Sequence, residues 1–165
     1  MSNLVILRGN YGSGKTTVAR GLQKKLGHGT MLISQDVVRR EMLYVKDGEK
    51  PKVSELLFQL AVYGKEHCDV VILEGILNSK WYETLFKKLM KEFDKNIFAF
   101  YFDIPFEETL KRHNTKPNAN EFGEAELRKW WNEKDLLECI PETILGKELE
   151  ADEIINLIFD KLIKK

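Results

Sequence analysis

The spacing G-x-x-x-x-G-K-[ST] occurs near the start of the chain, at Gly9-Asn10-Tyr11-Gly12-Ser13-Gly14-Lys15-Thr16. This spacing is typical of the P-loop, in which backbone N–H groups cradle phosphate oxygens. Glycine permits that close approach because it has no side chain in the way. Lys15 is expected to contact the β- and γ-phosphates, and the Thr16 hydroxyl is expected to bind Mg²⁺. The stretch therefore predicts a nucleotide-binding site.

The sequence on both sides of this loop has the pattern that a P-loop requires. Leu4-Val5-Ile6-Leu7 is a short apolar run of the kind that forms a buried strand. Beyond the loop, Val18, Leu22 and Leu26 recur every four residues, which predicts a helix that ends at Gly27. The alternative is a glycine-rich turn that binds nothing. The flanking strand and helix favour a phosphate site at the helix N-terminus.

The composition is that of an ordinary globular chain with no excess of either charge. The chain has 165 residues, of which 43% are hydrophobic and 32% are charged. Basic and acidic residues number 26 each, and this balance argues against a dedicated nucleic-acid binder. No apolar run approaches the roughly 20 residues of a membrane span, and the early first strand leaves no room for a signal peptide. We expect one cytoplasmic domain over residues 1–165, as a monomer or homodimer without a membrane partner.

Strand patterns alternate with helical patterns along the rest of the chain. Further strands are predicted at Thr30–Ser34, Asp69–Leu73, Asn96–Phe102 and Glu142–Leu145. Helices are predicted at Val37–Leu43, from Pro51 onward, and at Trp81–Phe93, Phe106–Arg112, Glu124–Leu137 and Ala151–Ile163. Trp130 and Trp131 are expected in the core, and the polar segment His113 to Gly123 is expected to be an exposed mobile loop with His113 in solvent. The alternation predicts an α/β fold in which ligands bind beyond the carboxyl ends of parallel strands.

A second group of polar residues, Ser34-Gln35-Asp36-Val37-Val38-Arg39-Arg40, follows the second predicted strand. Asp36 is expected near the mouth of the P-loop, with Arg39 or Arg40 facing the same pocket. In one interpretation Asp36 or Ser34 caps the next helix and the arginines are solvated. In the other, Asp36 orients and deprotonates an accepting hydroxyl beside a cation that holds the substrate. The residues alone divide these interpretations evenly.

The third predicted strand ends in an acid, because Val70-Val71-Ile72-Leu73 leads directly into Glu74. An apolar strand followed by an acid resembles a Walker B element, in which the acid holds Mg²⁺ through water. The usual residue there is aspartate, so Glu74 is also a candidate for contacting the substrate or for assisting Asp36. An ordinary carboxylate at the end of a strand is the remaining alternative.

The segment Asp103-Ile104-Pro105-Phe106-Glu107-Glu108-Thr109-Leu110-Lys111-Arg112 leads into the predicted loop and completes a set of motifs. With this set the whole chain resembles the small P-loop kinases of the nucleotide and metabolite kinase group. Its pattern is most similar to the branch of zeta toxins, chloramphenicol phosphotransferase and polynucleotide 5′-kinase. The resemblance implies a three-layer P-loop NTPase fold with a five-stranded parallel sheet of order 2-3-1-4-5. It also implies a lid after the fourth strand, at about residues 113–123.

The resemblance further implies roles for individual residues. Asp36 matches the catalytic base and Arg39 a substrate contact, while Arg112 matches a lid arginine that packs on adenine or on the phosphates. Lys116 stands where the family has a second lid arginine, and Arg128 is either a further lid cation or a surface residue. Residues expected to bind ATP are Gly9, Asn10, Tyr11, Gly12, Ser13, Gly14, Lys15, Thr16, Thr17 and Arg112. Residues expected to bind the acceptor are Asp36, Arg39, Arg40, Glu74 and Lys116. Residues expected to act in catalysis are Lys15, Asp36 and Arg112. Mg²⁺ is expected to be held by Thr16 and, through water, by Glu74.

These features together predict a kinase that transfers the γ-phosphoryl group of ATP, with Mg²⁺, to a hydroxyl of a small molecule. A polynucleotide 5′-hydroxyl kinase is one alternative, and the zero net charge argues against it. A nucleotide-dependent switch or binding module is another. A GTPase requires Asn-Lys-x-Asp, whereas Asn132-Glu133-Lys134-Asp135 has the wrong order, and no Asp-x-x-Gly follows the third strand.

Overall fold

A computed structural model of the chain describes residues 1–117 and 119–164. Within these residues, five parallel strands form one sheet in the order β2-β3-β1-β4-β5. The strands are β1 (Asn3–Gly9), β2 (Thr30–Ser34), β3 (Val70–Gly75), β4 (Ile97–Asp103) and β5 (Glu142–Gly146). The strand order implied by the resemblance is therefore confirmed, and the short fifth strand is present.

Helices cover both faces of the sheet and complete three layers. They are α1 (Lys15–Leu26), α2 (Gln35–Val37), which continues into a π-helix (Val38–Leu43), α3 (Val53–His67), α4 (Glu83–Phe93), α5 (Phe106–Asn114), α6 (Glu124–Trp130) and α7 (Ala151–Ile163), with a short 3₁₀ turn at Asp94–Asn96. Alternate side chains of β1 point to opposite faces. Leu4 and Ile6 pack with the apolar residues of α3 and α4, whereas Val5 and Leu7 pack with those of α1 and α7. None of the helices in the described part of the chain is long and apolar enough to cross a membrane.

The helix after β2 differs from the one predicted at Val37–Leu43. It begins two residues earlier, at Gln35, and its second half is π-helical, a form frequent at functional sites. The Ser34 hydroxyl accepts a hydrogen bond from the backbone N–H of Val37 at 3.5 Å. Ser34 is therefore the cap of this helix, and the side chain of Asp36 is left for other contacts.

The helices α3 and α4 each begin two residues later than predicted, at Val53 and Glu83. Before α4, the side-chain oxygen of Asn78 accepts hydrogen bonds from the backbone N–H groups of Lys80 and Trp81. These bonds hold Lys80 and Trp81 in a turn, so the helix starts only after them.

The helix predicted over Glu124–Leu137 is wrong in its second half, because α6 ends at Trp130. The following chain is held by the P-loop, since Asn132 N–H donates to Asn10 Oδ1 at 2.8 Å and Asn10 Nδ2 donates to the Asn132 carbonyl at 2.6 Å. A backbone paired in this way has no intrahelical partner. The expected burial of the two tryptophans is also wrong, since Trp130 is 47% exposed and Trp131 is partly exposed.

Arg8 is a fully buried cation at the end of β1, directly before the P-loop. Its guanidinium donates to the Leu77 carbonyl at 3.0 and 3.1 Å, to Asp135 at 2.9 Å and to Glu142 at 2.8 Å. Asp135 also accepts from the backbone N–H of Ser79 at 2.8 Å. Arg8 thus joins β1 to the chain after β3, to the chain after α6 and to β5, and it supports the base of the P-loop.

Candidate active site

The carboxyl ends of the central strands meet at one edge of the sheet, and the polar segments singled out from the sequence begin there. In the pairing register, Ser34 lies beside Glu74 and Glu74 lies beside Leu7. The P-loop, the Asp36 segment and the Glu74 carboxylate therefore leave the sheet at the same level. This is the edge at which ligands of such sheets bind.

The backbone of the P-loop takes conformations that glycine alone adopts without strain. Gly12 has φ +74° and Gly14 has φ +98°, both in the left-handed region. A Cβ at Gly12 would also come within 2.9 Å of Thr109 Cγ2. Gly14 is the N-cap of α1, so the free N–H groups of that helix face the loop. Such a concave set of N–H groups fits phosphate oxygens.

Lys15 is buried, with 7% of the residue exposed, and its ammonium group lies inside the P-loop. Its Nζ donates to the Asn10 carbonyl at 2.8 Å and to Ser13 Oγ at 3.3 Å. Burial lowers the pKa of Lys15 from 10.5 to about 8, and the nearby Glu74 carboxylate opposes this effect. The lysine is therefore a desolvated cation held by neutral oxygens, and a phosphate would satisfy it better.

Thr16 and Glu74 form a pair of oxygen groups beside Lys15. Thr16 Oγ1 donates to Glu74 Oε1 at 3.3 Å, and Glu74 is buried with 3% of the residue exposed. Hydroxyl and carboxylate oxygens are the ligands that Mg²⁺ prefers, usually together with water and substrate phosphates. The donor set at this point therefore fits a Mg²⁺ ion that accompanies a nucleotide.

The Asp36 carboxylate lies on the first turn of α2 with two arginines around it. Asp36 Oδ1 is 2.8 Å from Arg39 Nη2 and 2.8 Å from Arg40 Nε. The Asp36 and Arg40 side chains are 55% and 64% exposed, whereas the Arg39 side chain is 15% exposed. Arg39 also donates to the Val45 carbonyl at 3.1 Å, and its buried Nε has no hydrogen-bond partner within the described residues. Arg39 therefore faces inward with donor capacity left over, and Arg40 faces solvent.

Gln35, Asp47 and Tyr82, none of which was expected to be a site residue, fix the loop next to Arg39. Gln35 Nε2 donates to the Tyr82 hydroxyl at 2.9 Å, and that hydroxyl donates to Asp47 Oδ1 at 2.7 Å. Burial and the neighbouring Asp47 raise the pKa of Tyr82 well above its ordinary value. The three residues are far apart in sequence and follow no motif, so only the folded chain brings them together.

Two cavities adjoin the P-loop on different sides. One, of about 400 Å³, touches Thr16 and Glu74 and is otherwise lined largely by apolar side chains, among them Val37, Val38 and Met42. The other, of about 410 Å³, lies between the loop Gly12–Gly14 and the lid. It is lined further by Thr17, Glu108, Arg112, Lys116, Lys147, Leu149 and Glu150. The last three precede α7 and were missed, because the turn they form carries no motif.

Arg112, directly before the lid, reaches the P-loop. Arg112 Nη1 donates to the Ser13 carbonyl at 3.1 Å, and its Nε donates to Glu108 at 3.3 Å. Arg128, by contrast, is an exposed residue of α6 that pairs with Glu124 at 2.7 Å and lies over the ring of Phe106 at 4.2 Å. These contacts agree with the alternative in which Arg128 is a surface residue of a helix.

The start of the lid differs from the prediction of an exposed loop. The helix α5 continues through Asn114, and His113 is buried with 1% of the residue exposed. The expectation that His113 lies in solvent is therefore wrong. The imidazole is buried because it contacts the Tyr11 side chain, which projects from the P-loop. Asn118, which also belongs to the predicted lid, lies outside the described residues.

The sheet order and the glycine loop between β1 and α1 together define a P-loop NTPase fold. The chain belongs to the AAA domain family, whose model matches residues 4–138. No curated protein matches the sequence.

Several solved structures share the fold over nearly the whole chain. An APS kinase from Mycobacterium tuberculosis, solved with AMPPNP and APS, has 19% identity and a TM-score of 0.70, with 99% of this chain and 98% of that chain covered. A gluconokinase from Sinorhizobium meliloti has 11% identity and a TM-score of 0.68, with coverage of 98% and 92%. A tunicamycin resistance protein from Deinococcus radiodurans has 18% identity and a TM-score of 0.65, with coverage of 98% and 96%. At these sequence identities, the similarity shows a shared fold and nothing further.

Proposed function

We propose that the chain is a kinase that transfers the γ-phosphoryl group of ATP to a hydroxyl group of a small molecule. The observation that carries this proposal is the convergence of three chemical groups at one sheet edge. They are the glycine cradle with Lys15, the Thr16–Glu74 oxygen pair, and the Asp36 carboxylate beside Arg39. The likeness in fold to an APS kinase and a gluconokinase supports the same class of reaction.

The nucleotide side of the proposed site consists of the P-loop and the lid. The backbone N–H groups of Gly9 to Thr16 bind the phosphate oxygens, and Lys15 neutralises charge on the β- and γ-phosphates. Arg112 and Lys116 approach from the lid and line the cavity that receives the rest of the nucleotide. Thr16 and, through water, Glu74 would hold Mg²⁺, which would supply positive charge to the phosphates. These groups stabilise charge that develops during transfer, which is the main task of a kinase.

The acceptor side consists of the Asp36 segment and the chain after β3. Asp36 accepts the proton of the attacking hydroxyl and thereby orients the oxygen toward the phosphoryl group. Arg39, partly buried and fixed by Asp36 and Val45, holds an acceptor oxygen. Arg40, which is exposed to solvent, contacts the acceptor at the outer edge of the site. Glu74 is a second carboxylate that contacts the acceptor. The acceptor itself is a small hydroxylated molecule of unidentified structure.

The described residues provide no structural observation in favour of either alternative. Zero net charge disfavours a polynucleotide acceptor. For a GTP-dependent switch, the segment with Asn132 and Asp135 would have to read a guanine. Asn132 instead pairs with Asn10 and Asp135 pairs with Arg8, so both support the P-loop.

A transfer screen with γ-labelled ATP tests the proposal. Hydroxylated metabolites, nucleosides and 5′-hydroxyl oligonucleotides are incubated separately with the chain, ATP and Mg²⁺, and labelled products are counted. We expect label on at least one small hydroxylated molecule and none on oligonucleotides. Label on oligonucleotides alone would favour the polynucleotide kinase, and tight ATP binding without transfer to any acceptor would favour a binding module.

Two lysine variants provide the matched control for this screen. Lys15→Met removes the buried ammonium group, whereas Lys91→Met removes one on the exposed face of α4. Transfer is expected to disappear in the first variant and to persist in the second. Transfer that survives Lys15→Met would arise from a contaminating kinase or from another site, and it would contradict the proposal.

A further inference from the structure

Tyr11 connects the P-loop to the lid. Its hydroxyl lies 3.2 Å from His113 Nδ1, and its ring meets the rings of His113 and Phe122 edge to face, with centroids 5.6 and 5.3 Å away. The face of the same ring lies 4.5 Å from Lys116 Nζ. One P-loop side chain thus contacts both the buried start of the lid and one of its two cations.

The hydrogen bonds of His113 show which atom is the donor in its contact with Tyr11. His113 Nε2 is 2.8 Å from the Phe122 carbonyl oxygen, which only accepts, so the ring carries its hydrogen on Nε2. Nδ1 of the neutral ring then accepts the hydroxyl hydrogen of Tyr11. The imidazole also stacks on Phe122 at 4.6 Å, and Phe122 contacts Trp130 at 5.1 Å. The rings form a continuous aromatic cluster from the P-loop to α6.

Lys116 is held by an aromatic face rather than by an acid. Burial and the neighbouring Arg112 lower its pKa, and no acidic side chain of the described residues pairs with it. A ring attracts an ammonium group through its quadrupole and leaves the positive charge available. A carboxylate in the same place would compete with a phosphate for that charge. The ring of Tyr11 therefore holds the Lys116 ammonium group next to the P-loop and leaves its charge free to bind a phosphate.

We propose that Tyr11 is a positioning residue that docks the lid on the P-loop and presents Lys116 to the transferring phosphoryl group. This inference rests on the proposed kinase function. The ring supplies the platform for Lys116, and the hydroxyl anchors His113. Because the lid is already docked through Tyr11, less ordering remains to be done when a nucleotide binds.

Two substitutions at Tyr11 separate the ring from the hydroxyl. Tyr11→Leu removes the aromatic face, and kcat is expected to fall roughly tenfold with a smaller change in KM for ATP, in line with a cation–π contact. Tyr11→Phe keeps the face, and it is expected to retain most of kcat. The loss in a Tyr11→Leu/Lys116→Met double variant is expected to be close to that of Lys116→Met alone, because both changes remove one interaction. Tyr63→Leu, at a 58% exposed tyrosine of α3, is the matched control that leaves kcat unchanged.

Hydrogen exchange of the lid gives a readout that needs no transfer. Without nucleotide, Tyr11→Leu is expected to speed exchange in residues 113–123, while the urea midpoint of unfolding stays near that of the Tyr63→Leu control. Unchanged lid exchange in Tyr11→Leu would overturn the docking role, even for a chain that transfers nothing. Additive losses in the double variant, or equal losses in Tyr11→Phe and Tyr11→Leu, would overturn the presentation of Lys116. A wild-type chain without transfer would instead count against the proposed function.

Discussion

At the scale of single residues, Lys15 is expected to lower the stability of the folded chain without a ligand and to favour the binding of one. Its ammonium group is buried, and its hydrogen-bond partners are the neutral oxygens of Asn10 and Ser13. No acidic side chain in the described part of the chain forms an ion pair with it, and desolvation of an unpaired cation costs folding free energy. A phosphate in the loop would restore the missing negative charge. Such a residue is expected to be unfavourable for the empty protein and necessary for the occupied one.

Lys15→Met is therefore expected to abolish transfer and to stabilise the folded chain at pH 7. Burial lowers the pKa of Lys15 from 10.5 to about 8, and this interval corresponds to at most about 3 kcal/mol at about 1.36 kcal/mol per pH unit. Urea unfolding and activity are measured on the same preparation. A variant that loses stability along with activity would show that Lys15 is structural.

The sign of the pH dependence gives a second check on Lys15. Between about pH 8 and pH 10.5 the unfolded chain keeps a proton that the folded chain has released, so wild-type stability gains from Lys15 as pH rises. The advantage of Lys15→Met is therefore full below about pH 8 and shrinks toward pH 10.5. Unfolding free energies of both proteins at pH 7, 8.5 and 10 measure this difference. An advantage that grows with pH would contradict the assignment.

Which residues could be found from the sequence depends on how far away their partners are. Lys15, Thr16 and Glu74 follow fixed spacings at strand ends, so their neighbourhood was predictable. Arg8 and His113 were not, because Arg8 pairs with Glu142 across 134 positions and His113 meets Tyr11 across 102. A motif predicts contacts between residues that are near each other in the chain. These two contacts form only when the strands have assembled into the sheet and the lid has packed on the P-loop.

At the scale of elements, β1 is tied to its surroundings by one buried guanidinium. Arg8 is paired with Glu142, whose side chain is 2% exposed, and with Asp135, which continues the chain after α6. The same post-α6 segment is held to the P-loop through Asn10 and Asn132. This explains why the helical pattern over residues 124–137 misled the prediction. Buried polar pairings outweigh the modest helix propensity of a few residues.

Arg8→Met is expected to destabilise the chain by about 3–5 kcal/mol, because it leaves the buried Glu142 carboxylate without its partner. Urea unfolding at pH 7 measures the effect. The matched control is Arg128→Met, which breaks an exposed pair with Glu124 and is expected to cost less than about 1 kcal/mol. Equal effects of the two substitutions would contradict the role given to Arg8.

The lid, residues 113–123, is expected to respond to nucleotide along only part of its length. His113 is already docked on Tyr11, whereas several residues near the tip, such as Glu121, are exposed. A non-hydrolysable ATP analogue with Mg²⁺ is expected to slow amide exchange from Lys116 onward more than at His113. Exchange that is the same with and without the analogue would count against lid closure.

At the scale of the whole molecule, the alternation of patterns predicted a parallel sheet with helices on both faces, and the resemblance implied its strand order. Each connection between consecutive strands is long enough for a crossover helix, which leaves few topologies. The acceptor was not predictable, because the cavity beside Thr16 and Glu74 is otherwise lined largely by apolar side chains that specify no particular hydroxylated molecule. The zeta toxin branch, the cytoplasmic location and the oligomeric state stay predictions from the sequence.

A nucleotide with Mg²⁺ is expected to stabilise the whole fold, because it binds the folded chain alone. At about 100 times its Kd the gain is about 2.7 kcal/mol, or roughly 5–10 °C in Tm for a chain of this size. Removing Mg²⁺ with a chelator is expected to reduce the shift, since Thr16 and Glu74 then lack the ion. The thermal shift is measured for wild type and Lys15→Met. An equal shift in both would place the nucleotide outside the P-loop.

In the proposed reaction Asp36 serves a hydroxyl acceptor beside a bound nucleotide, and Asp36→Asn isolates this role. The substitution keeps the shape of the side chain, and Ser34 rather than Asp36 caps the helix. The lost contacts are exposed ion pairs with Arg39 and Arg40, so the free energy of unfolding is expected to change by less than about 1 kcal/mol. A change in turnover would then report on chemistry.

The measurement is turnover with the acceptor found in the screen, together with the affinity for an ATP analogue, in wild type and Asp36→Asn. Turnover is expected to fall by roughly 10²–10⁴, the usual worth of a positioned base, while the affinity barely changes. This drop corresponds to about 3–5.5 kcal/mol in the barrier. Retention of more than about a tenth of wild-type turnover would contradict the claim and would transfer the role of base to Glu74.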